Sequence, residues 1–333
     1  MKKVIIIAPL KSIHIEKTYK GLDKKYDFFS FLSSHRQSNE LLSVSWPSFL
    51  FNILTRKYDI IVIHYLSWNI LSGLIFKPFV SNLIGVCWGS DVYQFAPKYK
   101  FFWQVCASRF DKLVATSLNM CNFVEENFGI PVEYRPFGLS SEFSSYKPEA
   151  RNGSRKKTVR FVTVKELRYK AGIDLSIMFV EKLAMKLKNT QIIYDIYGVG
   201  PELNNLKIQL KDIKTKNFQV NFLGQVSQKE LLDIYENYDF FIGLSRSESL
   251  GLSFIEAAHF GIPPIISITP GPLEVFGMDY DLKYSMDIED AEIFNKIAHA
   301  IFNFDEYKRL SLYAQSRVKH YHWEEWSKWY RQM

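Results

Sequence analysis

Asp239-Phe-Phe-Ile-Gly-Leu-Ser-Arg-Ser-Glu-Ser-Leu-Gly-Leu-Ser-Phe-Ile-Glu256 is the stretch that decides the fold. Its first six residues, Asp239–Leu244, are apolar and β-prone. The run Leu252 to Phe260 has helical spacing and stops at Gly261-Ile-Pro-Pro264. A glycine just past a helix, with prolines beyond it, is a mechanical stop. The stretch is therefore strand, loop and helix, with Glu248 on the loop and Glu256 one to two turns into the helix. Such a helix points its first N–H groups beyond the strand ends, where they can hold a phosphate. Gly251 lets backbone approach a ligand closely. Two carboxylates beside a phosphate site can accept hydrogen bonds from sugar hydroxyls. The pattern suits a nucleotide-sugar, with one glutamate for the ribose and one for the transferred hexose. The competing reading is a loop glutamate and a solvated helix glutamate without function.

Working outward, β-like runs alternate with helical ones. Val4–Ala8, Ile60–His64, Ile84–Cys87, Lys112–Thr116 and Val132–Tyr134 are the candidate strands of the first half. Arg160–Val164, Gln191–Tyr197, Val220–Phe222, Phe240–Leu244 and Pro264–Ser267 form a second series, with helices such as Leu175–Lys188 and Lys229–Tyr238 between. The polar, Gly/Pro-bearing segment Tyr146–Lys157 separates the series as a linker. Alternation of this kind gives parallel sheets covered on both faces. The expected architecture is α/β: two doubly wound, Rossmann-like domains facing across a ligand-binding cleft. The domains are expected at 1–150 and 158–312. A last segment, 313–333, places Trp323, Trp326, Trp329 and Tyr330 on one helical face that something must cover.

A chain of 333 residues with 47% hydrophobic content is long enough for two such cores. Three cysteines, Cys87, Cys106 and Cys121, form no metal-spaced pair, which favours a reducing cytoplasm. The apolar N-terminal run is followed at once by Lys11 and His14, so it reads as a buried strand rather than a signal peptide. No stretch approaches the roughly 18 apolar residues of a spanning helix. Residues 1–150 carry 17 basic and 12 acidic side chains, +5 of the whole chain's +7. Aromatics interleave with that charge at Trp46–Phe51 and Lys98–Trp103. The mixture suits an anionic membrane surface. It also suits nucleic acid, but no helix-turn-helix, RNA-recognition or zinc-finger pattern accompanies it, so no nucleic acid is expected.

Several blocks, in order, resemble retaining glycosyltransferases of family 4, which have the GT-B fold. They are Trp88-Gly-Ser-Asp-Val-Tyr93, Arg135-Pro-Phe-Gly-Leu139, Thr163 to Asp174, Tyr197-Gly-Val-Gly-Pro-Glu202, Asn221-Phe-Leu-Gly-Gln225, the Glu248/Glu256 block, and Pro263–Ser267 with Gly271–Glu274. The match is specific over about residues 158–275 and weaker before them. The resemblance implies transfer of a hexose from a nucleotide-diphosphate-sugar to a glycan acceptor, lipid-linked or an oligosaccharide. The setting would be O-antigen, capsule or exopolysaccharide assembly, by a cytoplasmic protein peripheral at the inner face of the cell membrane. It implies donor contacts from Lys165, Lys170, Gly198, Gly200, Glu248, Ser249, Leu250, Gly251, Leu252 and Glu256, with Arg168 in reserve. The family's strict basic positions fall here on Glu166 and Ala171, one place after Lys165 and Lys170. On the acceptor side it implies Trp88, Gly89, Asp91 and His14. Trp88 stands where histidine is common and can stack on a sugar face. Asp91 either orients the acceptor or caps a helix. Glu248, Asp91 and Lys170 are the candidate catalytic residues, with no protein nucleophile. No cofactor is expected and no metal in the chemical step. In the resembled family the last helix crosses back to the first domain.

Two rivals remain. Asp279-Tyr-Asp281 is an Asp-x-Asp of the kind that holds a metal in GT-A transferases, although it follows an already complete donor site. A non-catalytic nucleotide-sugar binder is the other. His320 and His322, two apart, share no helix face and form no zinc site.

Overall fold

The computed structural model describes residues 3–8, 26–29, 46–146, 157–285 and 291–333. The chain forms two compact units, one of residues 1–140 with 323–333, the other of residues 141–322.

Among the described residues the first unit holds six parallel strands: β1 (Val4–Ile7), β2 (Tyr26–Phe29), β3 (Ile60–His64), β4 (Asn82–Cys87), β5 (Lys112–Ala115) and β6 (Val132–Tyr134). Their order across the sheet is β2-β1-β3-β4-β5-β6. Every residue of β1 and β3 is buried. A central strand covered on both faces needs an unbroken apolar run, and Val-Ile-Ile-Ile and Ile-Ile-Val-Ile provide it. Helices Trp46–Leu54, Leu71–Phe76, Lys100–Ala107 and Leu118–Phe128 connect the strands. The last starts at Ser117, whose side chain accepts from Met120 N–H, and ends at left-handed Gly129.

Helix Trp323–Arg331 also belongs to this unit. Trp323 N–H donates to Leu139 O at 2.9 Å. Trp326 lies with its ring centroid 5.4 Å from Phe137 and 5.8 Å from Trp88. The aromatic face is thus covered by the first unit. The return begins at Trp323, later than 313, because helix Phe304–Val318 buries Leu310, Ala314 and Val318 in the second unit.

The second unit has strands β7 (Thr158–Val164), β8 (Gln191–Tyr197), β9 (Phe218–Gly224), β10 (Phe240–Gly243), β11 (Pro264–Ser267) and β12 (Lys283–Tyr284). All pair in parallel in the order β12-β11-β10-β7-β8-β9. The unit starts before the expected linker, with helix Ser141–Ser145. Buried Phe143 and the Tyr146 ring lie 5.9 and 5.0 Å from Phe260, so the entering chain is already part of this core. Linker residues 147–156 lie outside the described residues.

In the first unit His64, at the end of β3, is fully buried. Trp88 Nε1–H donates to its Nδ1 at 3.0 Å, so Nε2 carries the proton and meets Tyr330 Oη at 2.5 Å. Burial lowers the His64 pKa from 6.5 to about 3. Below pH 6.5 the unfolded chain therefore binds a proton that folded His64 refuses. The stability that neutral His64 contributes is intact above pH 6.5 and is lost as pH falls from 6.5 toward 3, by up to about 1.4 kcal/mol per pH unit. Urea unfolding at pH 7 and pH 5 is expected to show that loss in the wild type and a smaller one in His64→Gln. Equal pH slopes would contradict it.

Candidate functional site

The strand order of the second unit reverses at β7. From β7 the chain goes to β8 on one side, whereas β10 and then β11 lie on the other. The loops leaving β7 and β10 diverge there, and a parallel α/β sheet binds its ligands beyond the strand ends at that point. Lys165 is the first residue after β7 and Ser245 the second after β10.

The two loops meet through Lys165. Its ammonium donates to Ser245 Oγ at 2.7 Å and to Glu248 Oε2 at 2.5 Å. It also lies 4.5 Å from the centroid of the Phe254 ring. The Lys165 side chain is only 8% exposed and that of Glu248 25%, so the pair is shielded more than a surface ion pair. A side chain at Gly243 would strike Phe254 at 2.5 Å and approach the Lys165 stem at 3.4 Å. Gly251, at φ +85°, starts helix Leu252–His259, and a Cβ there would meet Phe254 at 2.5 Å. Phe254 N–H donates to Gly251 O at 3.0 Å, so the N–H groups of Leu252 and Ser253 are those that the helix start offers to an anion. Ser249, Leu250 and Leu252 flank Gly251, with Leu250 buried.

Glu256 lies inside the same helix and is buried. Gln228 Nε2 donates to its Oε1 at 3.4 Å. Tyr235 lies beside it, and its phenol is pushed well up, by burial first and by the Glu256 carboxylate second. The two glutamates thus differ. Glu248 is part of the Lys165 cluster, whereas Glu256 lies inside the helix beside Gln228 and the Tyr235 phenol.

Arg246 was not singled out in the sequence. Its guanidinium grips Asp174 with both nitrogens, at 2.7 and 2.6 Å, and donates to Tyr169 O at 2.9 Å. Its backbone N–H donates to Lys170 O at 2.9 Å. Burial alone would raise the Asp174 carboxyl, but Arg246 holds it below its ordinary value. Arg246 therefore clamps the loop 165–172 to the loop 244–251. Both side chains are partly exposed, so the coupling in an Arg246→Ala/Asp174→Asn double-mutant cycle is expected at about 1 kcal/mol. Strict additivity of the two single losses would remove the clamp.

Lys170 sits on the turn Tyr169–Ala171 and is exposed, as is Arg168. Gly198 and Gly200, expected at the nucleotide, also have a physical reason within the fold. Added Cβ atoms would lie 1.8 Å from Lys165 O and 2.4 Å from Leu167 O. Lys165 N–H donates to Tyr197 O and Leu167 N–H to Val199 O, each at 3.0 Å. The glycines let the 197–200 turn pack directly on the backbone of the basic loop.

Asp91 is fully buried. It accepts from the backbone N–H groups of Leu66 (2.8 Å), Trp88 (3.0 Å), Gly89 (2.7 Å) and Val92 (3.1 Å). A carboxylate so engaged organises its own loop; Asp91 is the first residue of the turn Asp91–Phe95, whose start carries no side-chain cap. Trp88 is half-buried among His64, Tyr65, Phe137 and Trp326, and its N–H is taken by His64. His14 lies outside the described residues. The Asp-x-Asp pair has protein partners. Asp281 pairs with Arg309 at 2.5 Å and Lys296 at 3.6 Å, and Asp279 accepts from Tyr313 Oη at 3.2 Å. Among the described residues no group of His, Cys, Asp and Glu has the spacing of a metal site.

The model of a family described as "Glycosyl transferases group 1" matches residues 147–317, just over half of the chain. Over 127 residues the chain is 32% identical to the UDP-N-acetylglucosamine--peptide N-acetylglucosaminyltransferase GtfA subunit of Limosilactobacillus reuteri, covering 37% of this chain and 24% of that protein. Over 163 residues it is 30% identical to the alpha-monoglucosyldiacylglycerol synthase of Streptococcus pneumoniae, covering 43% and 34%. The chain thus spans a quarter to a third of the length of these relatives. Among solved structures, Anabaena Alr3699/HepE in complex with UDP is similar with TM-score 0.78 and 15% identity, over 100% of this chain and 99% of that one. The sucrose-phosphate synthase of Thermosynechococcus elongatus is similar with TM-score 0.73 and 14% identity, over the same shares. At these identities the structures show the fold, the GT-B arrangement of two parallel-sheet α/β domains. The residues that build the Lys165–Glu248 site fall inside the matched segment, and the chain belongs to the glycosyl transferases group 1 family.

Proposed function

We propose that the protein is a retaining, metal-independent hexosyltransferase. Its donor is a nucleotide-diphosphate-sugar and its acceptor a lipid-linked glycan of surface polysaccharide assembly, met at the cytoplasmic face of the cell membrane. The observation that carries the reading is the Lys165–Ser245–Glu248 cluster at the point where the strand order reverses. A diphosphate at that point is met by the Lys165 ammonium and by the first N–H groups of helix Leu252–His259, with exposed Lys170 and Arg168 on the same loop. Fixed positive groups of this kind stabilise the charge that grows as the diphosphate departs. Glu248, released by Lys165, accepts hydroxyls of the transferred sugar, and Glu256 those of the ribose. The bond from the sugar's anomeric carbon to the diphosphate breaks and one to the acceptor oxygen forms on the same face. The acceptor proton goes to the departing phosphate oxygen, so no protein nucleophile is needed.

Structures of Anabaena Alr3699/HepE contain UDP, UDP-glucose, or UDP and glucose, which supports a nucleotide-sugar donor for this fold. The name of the diacylglycerol synthase relative supports an acceptor anchored in lipid. No helix among the described residues is long and apolar enough to cross a membrane.

Transfer from a panel of nucleotide-sugars, assayed in excess EDTA, tests the proposal. Activity is expected to persist. Complete loss restored by manganese would overturn it. In the same assay Glu256→Gln is expected to weaken donor binding by about 1–3 kcal/mol, the scale of a charged hydrogen bond. Unchanged nucleoside-diphosphate affinity would count against the ribose role.

A further inference from the structure

We propose that the outer face of the helices covering one side of the first unit's sheet is its lipid-docking surface, and that the lipid is anionic. The inference deepens the membrane setting proposed above, on which it rests, by naming the face that meets the bilayer. The connections β2→β3, β3→β4, β4→β5 and β5→β6 step in the same direction across the sheet. Right-handed crossovers then place helices Trp46–Leu54, Leu71–Phe76, Lys100–Ala107 and Leu118–Phe128 on one side of it. Their inner residues agree, since Ile53, Phe76 and Trp103 share one core with Ile61, Ile63 and Leu83.

The outward residues of this layer are also apolar. Phe101 is 81% exposed, Phe51 67%, Leu54 62%, and Trp68 and Ile75 59% each. Trp68 packs on Phe95 and Tyr99, at 5.1 and 5.3 Å between ring centroids, so it stands as a supported ridge. Scattered single apolar residues on a surface need no explanation, but a helical layer that is apolar on both sides does.

Charge decides the occupant. From Trp46 to Arg109 the chain has six basic residues and two acidic ones, Asp59 and Asp91. Asp91 is buried. Asp59 precedes β3 and accepts from Lys3 N–H at 2.8 Å. None of the first three of these helices contains an acidic residue, whereas Leu118–Phe128, at the β5–β6 edge, carries exposed Glu125 and Glu126. Arg56, Lys57, Lys98 and Lys100 are exposed at the helix ends. The part of this face that carries Phe51, Leu54 and Phe101 is flanked by Arg56, Lys57, Lys98 and Lys100, which matches an interface that is apolar inside and negative at its surface.

The test is flotation of the full chain with vesicles of phosphatidylcholine alone or with one-third phosphatidylglycerol. UDP, GDP and ADP binding is measured in parallel, with the triple variant Phe51→Ser/Ile75→Ser/Phe101→Ser as the comparison. The wild type is expected to float with the anionic vesicles, at least tenfold less with the neutral ones, and less again at high salt. The variant is expected to lose at least tenfold of the anionic binding while keeping its melting temperature and nucleotide affinity. Wild-type protein that floats with neither vesicle, or a folded variant that floats as well as the wild type, would overturn the assignment while leaving the donor site untouched. A wild-type dimer that the substitutions disperse, with no flotation, would overturn it in favour of a second copy. Flotation without nucleotide binding by any form would support the surface and refute the donor site alone.

Discussion

Lys165→Ala is expected to lower kcat/KM for the nucleotide-sugar by about 10²- to 10³-fold, or about 3–4 kcal/mol of transition-state stabilisation. The ammonium is almost enclosed, bonded to Ser245 and Glu248, and set where the strand order reverses. A charge in such a place is worth more to a developing diphosphate than a surface lysine, because little water screens it. The substitution also strands the Glu248 carboxylate beside the vacated position, which adds a negative charge where the diphosphate binds. Both the affinity for nucleoside diphosphate and kcat are therefore expected to fall. Lys165→Arg is expected to recover part of the binding and less of the rate, since a planar fork does not reproduce a point charge over Phe254. Steady-state kinetics with a saturating acceptor would check this. A kcat/KM within threefold of wild type would place the diphosphate elsewhere.

Trp326→Ala is expected to destabilise the first unit by about 3–5 kcal/mol, the cost of removing a buried aromatic ring from a packed core. Trp326 is 1% exposed. Its ring meets Trp88, Phe137, Trp329 and Tyr330, with centroids between 5.2 and 5.9 Å away. Among the described residues the indole N–H has no hydrogen-bond partner, so the loss is one of packing and Trp326→Phe should cost less. Deleting residues 323–333 removes Tyr330 from His64 as well and uncovers Phe137 and Trp88, so the shortened chain is expected to aggregate. Guanidinium unfolding followed by tryptophan fluorescence and circular dichroism would measure the effect. A loss below about 1 kcal/mol for Trp326→Ala would mean that the last helix contributes little to the unit.

Local signals made much of this architecture legible. Ile60–His64 and Gln191–Tyr197 were expected with the bounds observed, the first as a continuous apolar run packed on both faces and the second as a long run rich in Ile and Tyr around Asp195. Tyr26–Phe29 and Lys283–Tyr284 were not expected. They are short outer strands, and Asp27 and Lys283 interrupt the pattern. Glu248 and Gly251 stood out because their strand–loop–helix context is contiguous. Arg246 did not, because its partner Asp174 is 72 residues away and only the fold joins them. Gly198 and Gly200 announced a constraint without saying what pressed on them, and the pressing atoms are the carbonyls of the basic loop. The acceptor half was the least legible. Asp91 and Trp88 were assigned by chemistry that suits a sugar, and the structure adds that backbone N–H groups and His64 engage them. His64 and Tyr330 are 266 residues apart, beyond any local pattern.

The central claim is that the second unit holds a donor diphosphate on Lys165 and the start of helix Leu252–His259. Isothermal titration of wild type and Lys165→Ala with UDP, GDP and ADP, in EDTA, tests it most directly. The account predicts saturable one-to-one binding of at least one nucleotide by the wild type and at least 30-fold weaker binding by the variant, about 2 kcal/mol or more. Equal affinity in the two proteins, or binding that appears only when a divalent cation is added, would contradict it.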